Sequence, residues 1–119
     1  MPHIVLETSA DVLENDRIPD ILEGLVAELS GCESVDPASI KAYHGLRGNW
    51  VMGAGAPRGF VHCEVRLLAG RSAELRAEIA ERMLGRLRGH VSESLEAGEI
   101  SLTVEVREMD SDAYRKTTG

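Results

Sequence analysis

Aromatic residues are scarce in this 119-residue chain, where Tyr43, Trp50, Phe60 and Tyr114 make up 3% of the sequence. That scarcity excludes a surface that stacks nucleic-acid bases on successive rings, and it leaves Leu, Ile, Val, Met and Ala to build the core. Positive charge is short as well. Against 20 Asp and Glu there are 13 Lys and Arg, a formal net charge of -7, the wrong balance for a protein that neutralises phosphates. No nucleic-acid partner is expected. Cysteine is limited to Cys32 and Cys63, far apart and without CxxC spacing, so two reduced thiols are expected rather than a disulfide framework or a structural zinc site. No apolar run approaches the ~18 residues that cross a bilayer. The opening MPHIVLE lacks the basic, apolar and small-residue segments of an export signal, which predicts a cytoplasmic chain with no membrane partner.

What is present is a globular pattern, with 43% hydrophobic and 28% charged residues. The length suits one domain over residues 1–119. His3 to Glu7 is short and β-prone, and apolar residues fall on both of its faces, as in a covered strand. Ile18, Ile21, Leu22, Leu25, Val26 and Leu29 then follow the i, i+3, i+4, i+7 spacing of an amphipathic helix, with Pro19 in its first turn and Gly31 as its C-terminal cap. A second strand is predicted from Ser39 to Leu46. The glycine-rich stretch from Gly45 to Gly59 reads as a loop with room for a short hairpin.

The pattern then repeats. Phe60 to Leu68 alternates, Ser72 can cap a helix running through Leu75, Ile79, Met83, Leu87, Val91 and Leu95, and Gly98 would end it. Ile100 to Val106 alternates again. Two β-α-β units, over about residues 2–46 and 60–109, predict an α+β fold: one four-stranded mixed sheet with two helices on one face. Because the strands carry apolar residues on both sides, the uncovered face is expected to be apolar and to be buried against identical subunits.

Three residues stand out as carriers of chemistry. Pro2 follows an initiator methionine of the kind usually removed before a small residue, which would leave a free secondary amine, a base that no internal residue can supply. To be unprotonated at neutrality this amine needs a depressed pKa, which burial and nearby cations both provide. Arg71 lies between Gly70 and the cap Ser72. A cation there opposes the positive end of the helix dipole, a conflict that a bound carboxylate or phosphate would resolve, although a solvated turn arginine is the plainer alternative. Lys41 shares a strand face with Ser39 and Tyr43, either as a pocket cation or as a surface lysine. His3, His44, His62 and Cys63 show no zinc-motif spacing, so no metal site is expected and structural roles are assigned to the histidines. Trp50 either lines a pocket or covers the edge of the core.

Together these residues resemble the tautomerase superfamily, and within it the 5-carboxymethyl-2-hydroxymuconate delta-isomerase family. The matching segments are Met1-Pro2-His3 with Glu7 closing the strand, Phe60-Val61-His62, and Ala69-Gly70-Arg71-Ser72 followed by Glu74. The second half also resembles the smaller 4-oxalocrotonate tautomerase subunit, through Gly70-Arg71-Ser72 and Val106-Arg107-Glu108-Met109. The resemblance implies a homotrimer and an N-terminal proline base, here Pro2. It further implies no metal or organic cofactor, and small dicarboxylate substrates of aromatic-acid breakdown held by Arg71 and Lys41. Relatives carry arginine where Lys41 aligns, and the segment from Tyr43 to Gly59 differs in length and residue types. Other superfamily chemistry, such as phenylpyruvate tautomerisation or hydration with protonated Pro2 as acid, is the enzymatic alternative. A binding protein that kept the fold without catalysis is the other.

Overall fold

The computed structural model describes residues 1–119. Strand β1 (His3–Ser9) leads through a 3-10 turn to helix α1 (Ile18–Ser30), and a second 3-10 turn at Pro37–Ser39 precedes strand β2 (Lys41–Arg47). The second unit comprises strand β3 (Gly59–Leu68), helix α2 (Ala73–His90), a short helix α3 (Ser92–Glu96) and strand β4 (Ile100–Met109). The sheet order is β2-β1-β3-β4, parallel within each unit and antiparallel where β1 meets β3. Two like units therefore share one mixed sheet, with the helices on one face. No helix is long and apolar enough to cross a membrane.

Strand alternation sends Ile4, Leu6, Val61, Cys63, Val65 and Leu67 beneath the helices, all fully buried. Ile21, Leu25 and Leu29 of α1 and Ile79, Met83 and Leu87 of α2 close the core from above, each set at helical spacing. The helices approach closely at Gly24, where a Cβ would lie 2.2 Å from Nε2 of His90. Glu28 of α1 pairs with Arg82 of α2 at 2.8 Å, holding the same contact at its rim.

The structure corrects the sequence at four places. Ser39 belongs to a 3-10 turn, whose N–H is received by the Asp36 carbonyl, so β2 starts at Lys41 and runs one residue past Leu46. Residues 48–58 contain no strand, hence no hairpin. The predicted long second helix breaks at Val91 (φ -115°, ψ 29°) because buried Glu14 accepts from Ser94 N–H at 3.1 Å and from the Ser94 hydroxyl, capping α3 separately. Finally, the uncovered face is not apolar. It carries His3, Glu7, His62, Glu64, Arg66 and Arg107, with Glu7 paired to Arg47 and Glu64 to Arg66, around Val5 and Phe60. The most exposed large apolar side chains are Leu13 in the first 3-10 turn, Tyr43 and Leu46 on β2 and Val51 in the loop after it, with Tyr43 beside Val5 on the uncovered face.

Candidate active site

The register brings one end of every strand to the amino terminus. His3 lies beside Lys41 on β2 and Arg66 on β3, while β3 and β4 end together at Leu68 and Met109. Pro2, just ahead of β1, is buried, and its carbonyl accepts from Lys41 N–H at 3.0 Å. That bond fixes proline at the head of the parallel β1–β2 pair. Lys41 is exposed, and its Nζ reaches the Ser39 carbonyl at 3.5 Å.

Arg71 arrives from the β3–α2 turn. Gly70 adopts φ 127°, a conformation that side chains rarely take, and Ser72 caps α2 by accepting from Leu75 N–H at 3.1 Å. The chain is thus turned so that Arg71 points across to the loop after α1. There its Nη2 donates to the Ser34 carbonyl at 2.8 Å, Nε to the Ser34 hydroxyl at 3.1 Å, and Nη1 to the Leu68 carbonyl at 3.3 Å. Ser34 itself sits at φ 66°, the one non-glycine residue with positive φ. A guanidinium has five N–H donors; with three engaged here, its orientation is set while two remain for an anion. Arg71 is therefore a tethered, half-buried cation, neither a freely solvated turn residue nor a wholly unpartnered one.

The electrostatic consequence falls on the terminal amine. With Met1 in place, that amine is held below the ordinary value first by burial, then by the charges of Arg71, Lys116 and Lys41, with Asp36 acting in the opposite direction. Arg71 and Lys41, the two cations singled out in the sequence, thus act on one point in space. Lys116 joins them. The tail after β4 carries it back over the amino terminus, where its Nζ lies 3.6 Å from Met1 Sδ. Tyr114 shares a hydrogen bond of 3.1 Å with His3 Nε2. Sequence reasoning missed both tail residues because the segment has no periodicity and no motif. His3 itself is pushed down by burial and then by Lys41 and Arg66, which favours its neutral form.

Other residues stand apart from this end of the sheet. His44 hydrogen-bonds Thr8 Oγ1 at 2.8 Å on the helix side of the sheet. Trp50 donates from Nε1 to the Arg58 carbonyl at 2.8 Å and pins the glycine-rich loop beyond the far end of β2. His62, Glu64 and Glu105 offer ligand atoms within 4.8 Å of one another on the uncovered face. There His62 Nδ1 is bonded to Thr103 Oγ1 and Glu64 is paired with Arg66 and Arg107, while Glu105 is exposed. Two surface depressions border this end of the sheet, one lined by Arg66, Arg107 and Met109 and one by Glu33, Ser72 and Glu78, and neither is lined by Pro2, Lys41 or Arg71 themselves.

The model of the 5-carboxymethyl-2-hydroxymuconate isomerase family matches residues 2–119. The chain belongs to this family. It is similar to a curated 5-carboxymethyl-2-hydroxymuconate Delta-isomerase of Escherichia coli, with 24% identity over 110 residues covering 92% of this chain and 87% of that one. A solved 5-carboxymethyl-2-hydroxymuconate isomerase from Deinococcus radiodurans R1 aligns at 26% identity and TM-score 0.86, over 99% of this chain and 90% of that one. A fused 4-OT symmetric trimer shares the fold at 16% identity and TM-score 0.76, over 98% of this chain and 93% of that one. The 5-carboxymethyl-2-hydroxymuconate isomerase relatives and the tautomerase fold agree with the duplicated β-α-β sheet: the protein is an enzyme, an isomerase of the tautomerase kind.

Proposed function

We propose that the enzyme moves a proton along an unsaturated 2-hydroxy or 2-oxo dicarboxylic acid, with the amine of Pro2 as general base once Met1 has been removed. The observation that carries this reading is the convergence of burial, Arg71 and Lys41 on the amino terminus, each of which lowers the basicity of an amine held there. A base of lowered basicity that lies beside cations suits proton abstraction from a dianionic substrate. The amine takes the proton from a dienol hydroxyl, or from the carbon next to its keto form. It returns that proton farther along the conjugated system, so that no atom is gained or lost. Arg71 holds a carboxylate with its two remaining N–H groups, and Lys41 favours the negative charge that develops on the enolate-like oxygen. No metal or organic cofactor is needed for this transfer.

A homotrimer completes the reading. The fused 4-OT neighbour is a symmetric trimer, and the exposed Tyr43, Leu46 and Val51 supply apolar surface for a neighbouring subunit to cover. The polar ladder on the uncovered face then meets partner side chains or water.

Turnover of 2-hydroxymuconate-type dienols, followed by ultraviolet absorbance across pH, tests the proposal. Rate should be lost at low pH as the Pro2 amine protonates, and Pro2→Ala should lower turnover without unfolding the chain. Loss of rate only at high pH would assign Pro2 the acid role instead. Unchanged turnover in the variant would remove it from the reaction.

A further inference from the structure

We propose that Lys116 is a specificity-determining residue of the active site, binding the second carboxylate of a dianionic substrate from the C-terminal tail. This inference rests on the isomerase reading above for the location of the substrate and goes beyond it in naming the group that selects diacids over monoacids.

The tail is directed to this position by its own contacts. Asp110 initiates a turn in which its carbonyl accepts from Ala113 N–H at 3.1 Å and its Oδ1 accepts from Asp112 N–H at 3.0 Å. Arg115 then donates to the carbonyls of Asp112 and Tyr114 at 2.9 and 3.0 Å, which holds the turn closed. Tyr114 lies edge-on to His3, with ring centroids 6.0 Å apart, and bonds it through the hydroxyl. His3 follows Pro2 directly, so this strap is anchored next to the proposed base. Two residues farther on, the Lys116 ammonium stands over the amino terminus.

The three cations around the terminus differ in what already holds them. Arg71 is bonded to Ser34 and Leu68, and Lys41 reaches the Ser39 carbonyl. Lys116 makes no ion pair and no bond to oxygen; its one polar contact is the thioether of Met1, a weak acceptor. Removal of Met1 takes away that contact and leaves an exposed ammonium, with no ion pair, near the amino terminus. A substrate with a single carboxylate is satisfied by Arg71. A second carboxylate, several bonds away along a conjugated chain, needs a cation besides Arg71; Lys41 is drawn toward the Ser39 carbonyl and serves the developing oxyanion, whereas a lysine on a strap can reach that carboxylate as a point charge without the geometric demand of a guanidinium.

The test compares wild type, Lys116→Gln and Lys116→Arg on 2-hydroxymuconate and on the monocarboxylate dienol 2-hydroxypenta-2,4-dienoate. In Lys116→Gln the ratio of kcat/KM for the diacid to that for the monoacid should fall about tenfold, mainly through KM, and Lys116→Arg should restore most of it. Equal losses on both substrates, or no loss on either, would overturn the proposal. Calorimetric binding of adipate, an unreactive diacid, separates this outcome from failure of the isomerase reading. If wild type turns over neither dienol, that reading fails, yet adipate binding about tenfold weaker in Lys116→Gln still supports the anion subsite. Adipate binding that is unchanged in the variant, or absent in wild type, overturns it.

Discussion

On the proposed role, replacing Arg71 with alanine should have three consequences. The guanidinium loses its bonds to the Ser34 carbonyl, the Ser34 hydroxyl and the Leu68 carbonyl. At a half-buried position this should cost about 1–2 kcal/mol of folding stability, below the sum of three ideal charged bonds because water replaces part of the loss. The carboxylate of the proposed substrate should lose one charge-assisted interaction of roughly 1.5–3 kcal/mol, or about ten- to 150-fold in kcat/KM. The terminal amine loses the foremost of the cations that act on it. A cation disfavours protonation, so its removal raises the amine pKa, and the acidic limb of the rate profile moves to higher pH. The assay is kcat/KM against pH on a dienol, with urea melts to choose conditions where the variant is folded. Arg71→Lys should keep much of the limb position while losing the bidentate hold on carboxylate. If Arg71→Ala lowers urea stability but leaves KM, kcat and the acidic limb unchanged, the residue only ties the Ser34 loop to the end of β3.

Glu14→Ala should destabilise the fold by about 2–3 kcal/mol in urea, because it strips the buried cap from Ser94 N–H and Oγ; a loss under about 0.5 kcal/mol would show that α3 is held by other contacts. Cys63 is fully buried and its thiol is pushed up to about 12 by that burial, so at pH 8 it should resist alkylation in the folded protein and react readily in guanidinium. Sedimentation equilibrium at micromolar concentration should give a trimer, and a stable monomer would remove the subunit arrangement from the account.

Much of the fold is written in local pattern. The helical spacing from Ile18 to Leu29 places α1 within a residue of its observed bounds, and Ser72 acts as the cap its position suggested. The alternation from Val61 to Leu67 selects the buried face of β3. The break at Val91 was not legible, because its cause is the contact of Glu14 with Ser94, eighty residues apart in sequence. The apolar residues on both sides of the strands suggest an apolar uncovered face, but there Val5 and Phe60 stand among Glu7, His62 and Glu64, which make it polar. At the candidate site the sequence pointed to Pro2, Lys41 and Arg71, which the register brings to one end of the sheet. It carried no sign of Ser34 in its left-handed conformation, nor of Lys116 returning on the tail, because neither depends on periodicity or spacing.

The proposed reaction turns on the secondary amine of Pro2. The most direct measurement is turnover of 2-hydroxymuconate by two preparations of the same chain, one beginning at Pro2 and one retaining Met1, each verified by mass spectrometry. Removing Met1 frees the Pro2 nitrogen, whereas retaining it makes that nitrogen an amide with no basicity at any working pH. Only the preparation beginning at Pro2 should be active, with a rate that falls at low pH as its amine protonates. Equal turnover by the Met1-retaining chain would contradict it.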